Sequence, residues 1–442
     1  MFFKKTNKEA IKAHQRLFKF FIALFIFLIP WQTRFIFYDW RLGDQVWQYG
    51  RLSIYFSMTF LLVAGVFFIL AHKKELRFSK NKFLYLIFGF SILASFFAAQ
   101  PLVSFYYLAM IYMAVLFAYL VKFLPKHFIF RAFLFSGLIQ GLIALQQFLA
   151  QRIFANKWLG IAEHLPEIAG TSVVEVAGQR ILRSYGALPH PNILGGFMFL
   201  VIFLGIYLWI NFYQKCAKNN WKSSFLQKHL PEFIFILSTL VISTYGLLTS
   251  FSRSALLALF LGLLSVLLIN TLRNNWLVVN VIIKYAVVFM LIFWSFNFWS
   301  PGTWSNRWHM EGRLEEQAIE ERISTMEQLG FDSYKNMMIG QGLGMNTYLT
   351  FQKDLNRPVY NIQPIHNIFM LSLAELGIIG VLLLFNIIAM VFKAANKVDI
   401  MSTSLILGLA VIGMFDHYLW TSWVGVLMLA FAFINLFKQQ EK

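Results

Sequence analysis

The chain has 442 residues, of which 59% are hydrophobic and 13% charged, with a mean hydropathy of +0.63. No water-soluble core of this length needs so much apolar surface, so the class is a polytopic membrane protein. The formal charge of +18 invites a nucleic-acid reading that the placement of the cations removes, and the one cysteine, Cys216, excludes a disulfide framework and a cysteine-based zinc site.

Stretches of about 18–25 apolar residues mark spans. In chain order they fall near 18–37, 53–71, 83–99, 103–121, 130–150, 191–212, 232–250, 254–272, 276–299, 366–392, 400–416 and 419–437. They predict an all-α fold, a polytopic bundle of about twelve transmembrane helices. The basic opening "MFFKKTNKEAIKAHQRLFKFF" is followed by no small-residue cleavage site and reads as a retained first helix. Lys4, Lys5, Lys8, Lys12, Arg16 and Lys19 lie on one side of the membrane. Lys73, Lys74, Arg77, Lys80 and Lys82, and then Lys215, Lys218, Lys222 and Lys228, fall on the same side. That face collects about 24 Lys and Arg against about 14 opposite, the positive-inside pattern, so both termini are expected in the cytoplasm. The net charge is then a topology signal, and no nucleic-acid partner is expected. The organisation expected is nine spans in 1–299, an extracytoplasmic loop with an amphipathic helix in 300–364, and three spans in 365–442.

Three segments on the non-cytoplasmic side carry the polar residues. The first, 151–190, leads into "RILRSYGALPHPNILGGFM". Pro189 and Pro191 hold the approach extended, and Asn192 is a candidate cap for the helix that follows. Gly195 and Gly196 permit close helix packing or close approach of a ligand. Arg183 lies a few residues from the membrane surface. The second segment, "TSFSRSALL", starts a span with Arg253, which either snorkels to the interface or meets an anion at a helix N-terminus. The third, 300–364, is too long for a casual connection. In its first half Ile319, Ile323, Met326 and Leu329 share a helical face, and Arg322 falls inside that arc. Arg322 is therefore expected to face inward and to need an anionic partner, either Glu315 or a ligand. "GQGLG", Gly340–Gly344, is neither a Walker A loop nor a dinucleotide fingerprint. As a flexible stretch it can bring backbone close to a ligand.

His366 opens the next apolar stretch, followed by Asn367. A histidine there is either structural or a base for an incoming hydroxyl. Glu375 is no dyad partner for it: nine residues turn a helix by about 180° and rise about 13 Å. Glu375 is instead expected to face the bundle interior and to find a partner there. Outside, the histidines His164, His190, His309, His366 and His417 show no metal-ligand spacing, no Asp-x-Asp occurs, and no G-x-S-x-G elbow appears. An outer edge rich in arginines suits a polyanion such as a pyrophosphate.

These segments, in this order, resemble the O-antigen ligase and Wzy-type polymerase superfamily over roughly residues 180–390. "RSYGALPHPNILGGF", "TSFSRSALLALFLG", "ERISTMEQLGFDSYKNMMIGQGLGMNTY" and "HNIFMLSLAELGIIGVLLL" are similar to its motifs, with Met337-Met338-Ile339 where a proline is common. The last pair of spans matches only loosely, through "FDHYLWTS". The resemblance implies a GT-C-like bacterial plasma (inner) membrane enzyme with its site on the extracytoplasmic face. It implies an inverting, metal-independent transfer of a glycan from polyprenyl (undecaprenyl) pyrophosphate to an acceptor hydroxyl, with no cofactor. His366 maps onto the family's catalytic histidine, Arg183 and Arg322 onto its pyrophosphate-binding arginines, and Arg253 is a third candidate. Asn192, Tyr348 and Asn367 are candidates to orient sugar or phosphate. Partners would be the lipid-linked donor, a glycan, lipid or protein acceptor, and membrane lipids. Ligase, repeat polymerase and protein O-oligosaccharyltransferase remain alternatives, as does a non-catalytic transporter of lipid-linked glycans.

Overall fold

The computed structural model describes residues 2–72, 82–309, 316, 320–325, 333–394 and 399–435. Helix α1 (Phe2–Leu28) leads to a hairpin of β1 (Arg34–Leu42) and β2 (Gln45–Tyr55), which runs directly into α2 (Phe56–Ala71). Then come α3 (Lys82–Phe96), α4 (Pro101–Val121) and α5 (Lys126–Ala150). A second hairpin, β3 (Val173–Val176) and β4 (Gln179–Leu182), precedes α6 (Pro191–Lys218), α7 (Ser223–Ser250), α8 (Arg253–Leu272) and α9 (Trp276–Trp299). Short helices α10 (Thr303–His309), α11 (Tyr334–Ile339) and α12 (Asn346–Lys353) lie in the large loop. The chain closes with α13 (Ile368–Ala394), α14 (Ile400–Phe415), α15 (Tyr418–Thr421) and α16 (Trp423–Ile434).

Each expected apolar stretch holds a helix. Seven of them, α4 to α9 and α13, are long and apolar enough to cross a membrane, and α2, α3, α14 and α16 are shorter apolar helices. The protein is an integral membrane protein built mostly of helices. The two hairpins correct a purely α reading. The stretch 18–37 does not continue as helix: α1 stops at Leu28, and Arg34 begins an antiparallel ladder from Arg34↔Tyr55 to Leu42↔Gln45. That hairpin is tied to the large loop. Trp47 Nε1 donates to Thr347 Oγ1 at 3.0 Å, Tyr49 Oη to Gln363 Oε1 at 2.6 Å, and the Val359 amide to Gln45 Oε1 at 3.0 Å.

The bundle is organised around α6. Its sequence is apolar on every side, and 94% of its most apolar window is buried, as expected for a helix enclosed by others. It packs chiefly against α7, with α5, α8 and α9 around it. Apolar side chains do not drive helices together in lipid, so close packing of small residues does much of that work. At Gly137 a Cβ would fall 2.5 Å from Val201 of α6, and at Gly262 one would fall 2.6 Å from Phe203.

Helix α13 is kinked. Gly377 has φ 65° and ψ −176°, a conformation that interrupts the helix and that side-chain-bearing residues avoid. The kink lets the glycine-rich loop dock as backbone on backbone. The Gln341 amide donates to Ala374 O at 3.0 Å and the Gly342 amide to Glu375 O at 2.9 Å. A Cβ on Gly377 would lie 2.4 Å from Gly340 N, and one on Gly340 would lie 2.2 Å from Glu375 O. Gly377→Ala is therefore expected to destabilise the protein by about 1–3 kcal/mol from backbone strain alone, more with the overlap. Gly65→Ala, where nothing lies within 4 Å, is the control. A melting temperature of Gly377→Ala in detergent no lower than the control's would refute the strain.

Candidate functional site

The segment before α6 is held from below by one stripe of α5. Gln147 Oε1 accepts from the Tyr185 and Gly186 amides at 3.0 and 2.9 Å, and its Nε2 donates to Gly186 O at 2.7 Å. Gln140 Oε1 accepts from the Ala187 amide at 2.8 Å, and Ser184 Oγ donates to Ala144 O at 2.6 Å. Residues 140, 144 and 147 follow the i, i+4, i+7 spacing of one helical face, and two glutamines there were a readable signal that this face meets backbone. Residues 183–187 are buried and satisfied, so Arg183 projects from a rigid base.

Arg183 is 6% exposed. Its Nε donates to Ser250 O at 2.9 Å and its Nη2 to Asn192 Oδ1 at 2.5 Å. One guanidinium thus bridges the C-terminus of α7 and the first turn of α6. Cations favour such carbonyl-rich helix ends. Arg253 leaves the same turn and donates from Nη1 to Arg307 O at 3.2 Å, while Arg307 donates from Nε to Phe251 O at 3.2 Å. Arg183 and Arg253 therefore both hold to the turn between α7 and α8, with Arg307 as a further arginine there that the sequence does not single out. Gly195 packs against this turn: a Cβ there would fall 2.5 Å from Ser252 Cβ. The starts of α6 and α8 lie side by side, and helix N-termini favour anions.

The cap of α6 is His190, not Asn192. His190 Nδ1 accepts from the Asn192 amide at 3.1 Å, with Pro191 at the first helical position. That frees the Asn192 side chain, whose Nδ2 donates to Asp416 Oδ2 at 2.7 Å. Asp416 also accepts from the His417 amide at 2.8 Å. Burial alone would raise the Asp416 carboxyl, but His417, His366, His190 and the Asn192 amide outweigh it and hold it below the ordinary range. Burial pushes His190 down, and Arg183 adds to the shift. Burial likewise pushes His417 down to about 4 against the pull of Asp416. At neutral pH these two histidines are uncharged and Asp416 is a carboxylate.

His366 sits at the open edge of this cluster, half-buried, its ring edge-on to His417 at 5.0 Å between centroids. Its pKa is lowered by burial, against attraction from Asp416, with Arg322 lowering it further and Glu321 raising it. Its Nδ1 lies 3.4 Å from Thr325 Oγ1, and that hydroxyl donates to Arg322 O at 2.9 Å. The large loop thus delivers 320–325, with a half-buried Arg322, beside His366. On that helical stretch Ile323 is 55% exposed, so it does not belong to a buried face as its spacing suggested. Ile319, Met326, Leu329 and Glu315 lie outside the described residues.

Other expected residues serve neighbouring structure. Asn367 caps α13: its Oδ1 accepts from the Phe369 and Met370 amides at 3.0 and 3.1 Å, and its Nδ2 donates to Met414 O at 3.2 Å. Tyr348 packs its ring against Trp47 of the first hairpin. The glycine-rich loop is buried from Gly340 to Thr347. It is a packing element against α13, α4 and the end of α3, rather than a flexible surface for a ligand. Gly196 likewise serves packing, since a Cβ there would fall 1.9 Å from Tyr418 Oη. Among the described residues, no three His, Cys, Asp or Glu side chains are arranged to hold a metal ion. Asp416, the node of the cluster, was missed. It is a lone acid in the short link between α14 and α15, far in sequence from everything it touches.

A family model described as O-antigen ligase matches residues 238–385, a segment that includes Arg253, Arg322 and His366 and leaves Arg183, Asn192 and Asp416 outside it. No curated protein sequence matches the chain.

Proposed function

We propose that this chain, which carries the O-antigen ligase family's domain at residues 238–385, is a membrane glycosyltransferase. It moves a glycan from a polyprenyl pyrophosphate, undecaprenyl being the expected carrier, to an acceptor hydroxyl on the extracytoplasmic face of the bacterial plasma membrane. One observation carries the reading. A candidate base, His366, and a buried arginine, Arg183, are joined through His417, Asp416 and Asn192 at the meeting of two helix N-termini.

In this reading the Thr325 hydroxyl proton is engaged by Arg322 O, so the imidazole of His366 donates from Nδ1 and keeps its free lone pair on Nε2. Nε2 takes the proton of the acceptor hydroxyl as that oxygen attacks the anomeric carbon. The bond to the pyrophosphate oxygen breaks on the opposite face, its electron pair leaves with the pyrophosphate, and the configuration inverts. Arg183 and Arg253, with Arg322 from the loop side, hold the pyrophosphate and stabilise its developing charge, each contact contributing about 2.7–4 kcal/mol if it resembles one oxyanion-hole donor. The leaving group is already good, so the mechanism needs neither an acid catalyst nor a metal.

The test is reconstitution in EDTA with a polyprenyl-pyrophosphate glycan and a panel of lipid A-core, glycan and protein acceptors. The expected result is glycan transferred in step with polyprenyl pyrophosphate released. Glycan crossing the bilayer intact, with no pyrophosphate released, would replace the enzyme with a transporter. A requirement for added divalent metal would end the metal-free mechanism.

A further inference from the structure

We infer that Glu375 is a positioning residue for His366, acting through the glycine-rich loop and Asn346. The inference rests on the role given to His366 above.

Glu375 lies on α13, two residues before the kink, and is 2% exposed. A carboxyl group so deeply buried is expensive unless donors meet it, and this one is enclosed by them. Trp420 Nε1 of α15 donates to Oε2 at 2.8 Å, and the backbone of Gly344 and Asn346 lines the same small cavity, with their N–H groups facing the Glu375 carboxyl. The backbone of Glu375 accepts as well, from the Gly342 amide at 2.9 Å. One residue therefore fixes the loop at both ends of Gly342–Asn346 and ties it to α15, the helix that follows His417. The link to His366 is direct from there: Asn346 Oδ1 accepts from the Ile365 amide at 3.2 Å, and Ile365 is bonded to His366. The glycines are needed for the same reason. A Cβ on Gly342 would fall 2.4 Å from Ala98 Cβ, and one on Gly344 would fall 2.5 Å from the Tyr107 ring, so glycine at these two positions lets the loop seat this close to the end of α3, to α4 and to the Glu375 carboxyl. A glutamine at 375 has one acceptor oxygen and turns an N–H₂ group toward donors.

The groups facing His366 are Thr325, Arg322 and Glu321 from the loop, His417 and Asp416 from the α14–α15 link, and His190 from the start of α6. If the Asn346 tether loosens, the imidazole leaves this enclosure for water. The experiment compares the wild type, Glu375→Gln, Glu375→Asp, Asn346→Ala and the Glu375→Gln/Asn346→Ala double variant, each in detergent with its melting curve. Carbethoxylation of His366, followed by peptide mass spectrometry across pH, reads the ring's titration without requiring activity. Transfer kinetics run in parallel.

In the wild type, half-modification is expected below the ordinary value of 6.5. It should move up toward that value in Glu375→Gln and Asn346→Ala, with kcat lower by up to about 10²-fold, the scale of a misplaced catalytic group. Donor KM should be unchanged, the double variant no worse than Glu375→Gln, and Glu375→Asp partly restored. If Glu375→Gln does not fold, Glu375→Asp, which moves the carboxyl, and Asn346→Ala, which leaves it in place, decide together. Folded variants in which His366 titrates as in the wild type would overturn the inference. A wild type without transfer activity would remove the proposed reaction and leave the carbethoxylation result to judge the positioning.

Discussion

His366→Ala is expected to lower kcat by about 10²–10⁴-fold, the usual contribution of a general base, while donor binding changes little. The residue stands apart from the arginine turn, and α13 keeps its cap at Asn367, so the variant should insert and fold. The wild-type pH profile carries the same point. Burial lowers the pKa of His366, so the unprotonated base predominates at neutrality. Activity should persist on the acid side below the ordinary histidine value of 6.5 and fall as pH drops through the lowered pKa. Stability falls in the same direction for a related reason. His190, His366 and His417 are all held neutral in the fold, so the unfolded chain binds more protons once pH passes below 6.5. The two effects separate by experiment: kcat in the acid limb is measured on protein whose melting curve, taken at the same pH, still shows it folded. An acid limb starting above 6.5, or substantial kcat in His366→Ala, would remove this residue as the base.

Arg183→Ala should lower kcat for transfer by about 10²–10³-fold, the loss that follows removal of one oxyanion-hole donor, and also lower stability. The guanidinium makes two directed bonds at once, to Ser250 O and to Asn192 Oδ1. Hydrogen bonds of a charged group contribute about 1.5–3 kcal/mol each, and their loss here leaves buried acceptors behind. Through Asn192 the change also reaches Asp416, the carboxylate around which the histidines sit. Arg183→Lys keeps the charge but not the planar fork, and it should recover stability better than rate. The measurements are kcat and KM for the lipid-linked donor beside melting temperature in detergent. A folded Arg183→Ala with wild-type kcat would sink the pyrophosphate assignment.

How much of this was readable in the chain differs from feature to feature. The helices were legible because a bilayer leaves little choice: backbone polar groups must pair within the segment, and a long apolar run therefore becomes a helix. The first hairpin is not, because its opening residues Arg34–Tyr38 are nearly as apolar as the run that precedes them, so the apolar stretch reads on past the end of α1. Gly43-Asp44, between two aromatic-rich runs, marks the turn only once a strand is suspected. Arg322 was expected to face inward from its helical spacing, and it is half-buried beside His366. The same spacing misplaced Ile323, because periodicity fixes which residues share a face and not what that face meets. The glycine-rich loop is ambiguous in sequence for a similar reason: its composition permits either a flexible surface or a tightly docked backbone, and only the kink at Gly377 selects the second.

By itself, then, the sequence determined the membrane class, the order of the apolar helices and the kinds of side chain at their polar ends. Those follow from local composition and from hydrogen bonding within a segment. Tertiary structure alone decided that Asp416 stands between Asn192 and His417, that Arg307 joins Arg253, and that Glu375 receives the glycine-rich loop. Those contacts depend on how helices approach one another, which small residues and kinks set at single positions with no period to reveal them.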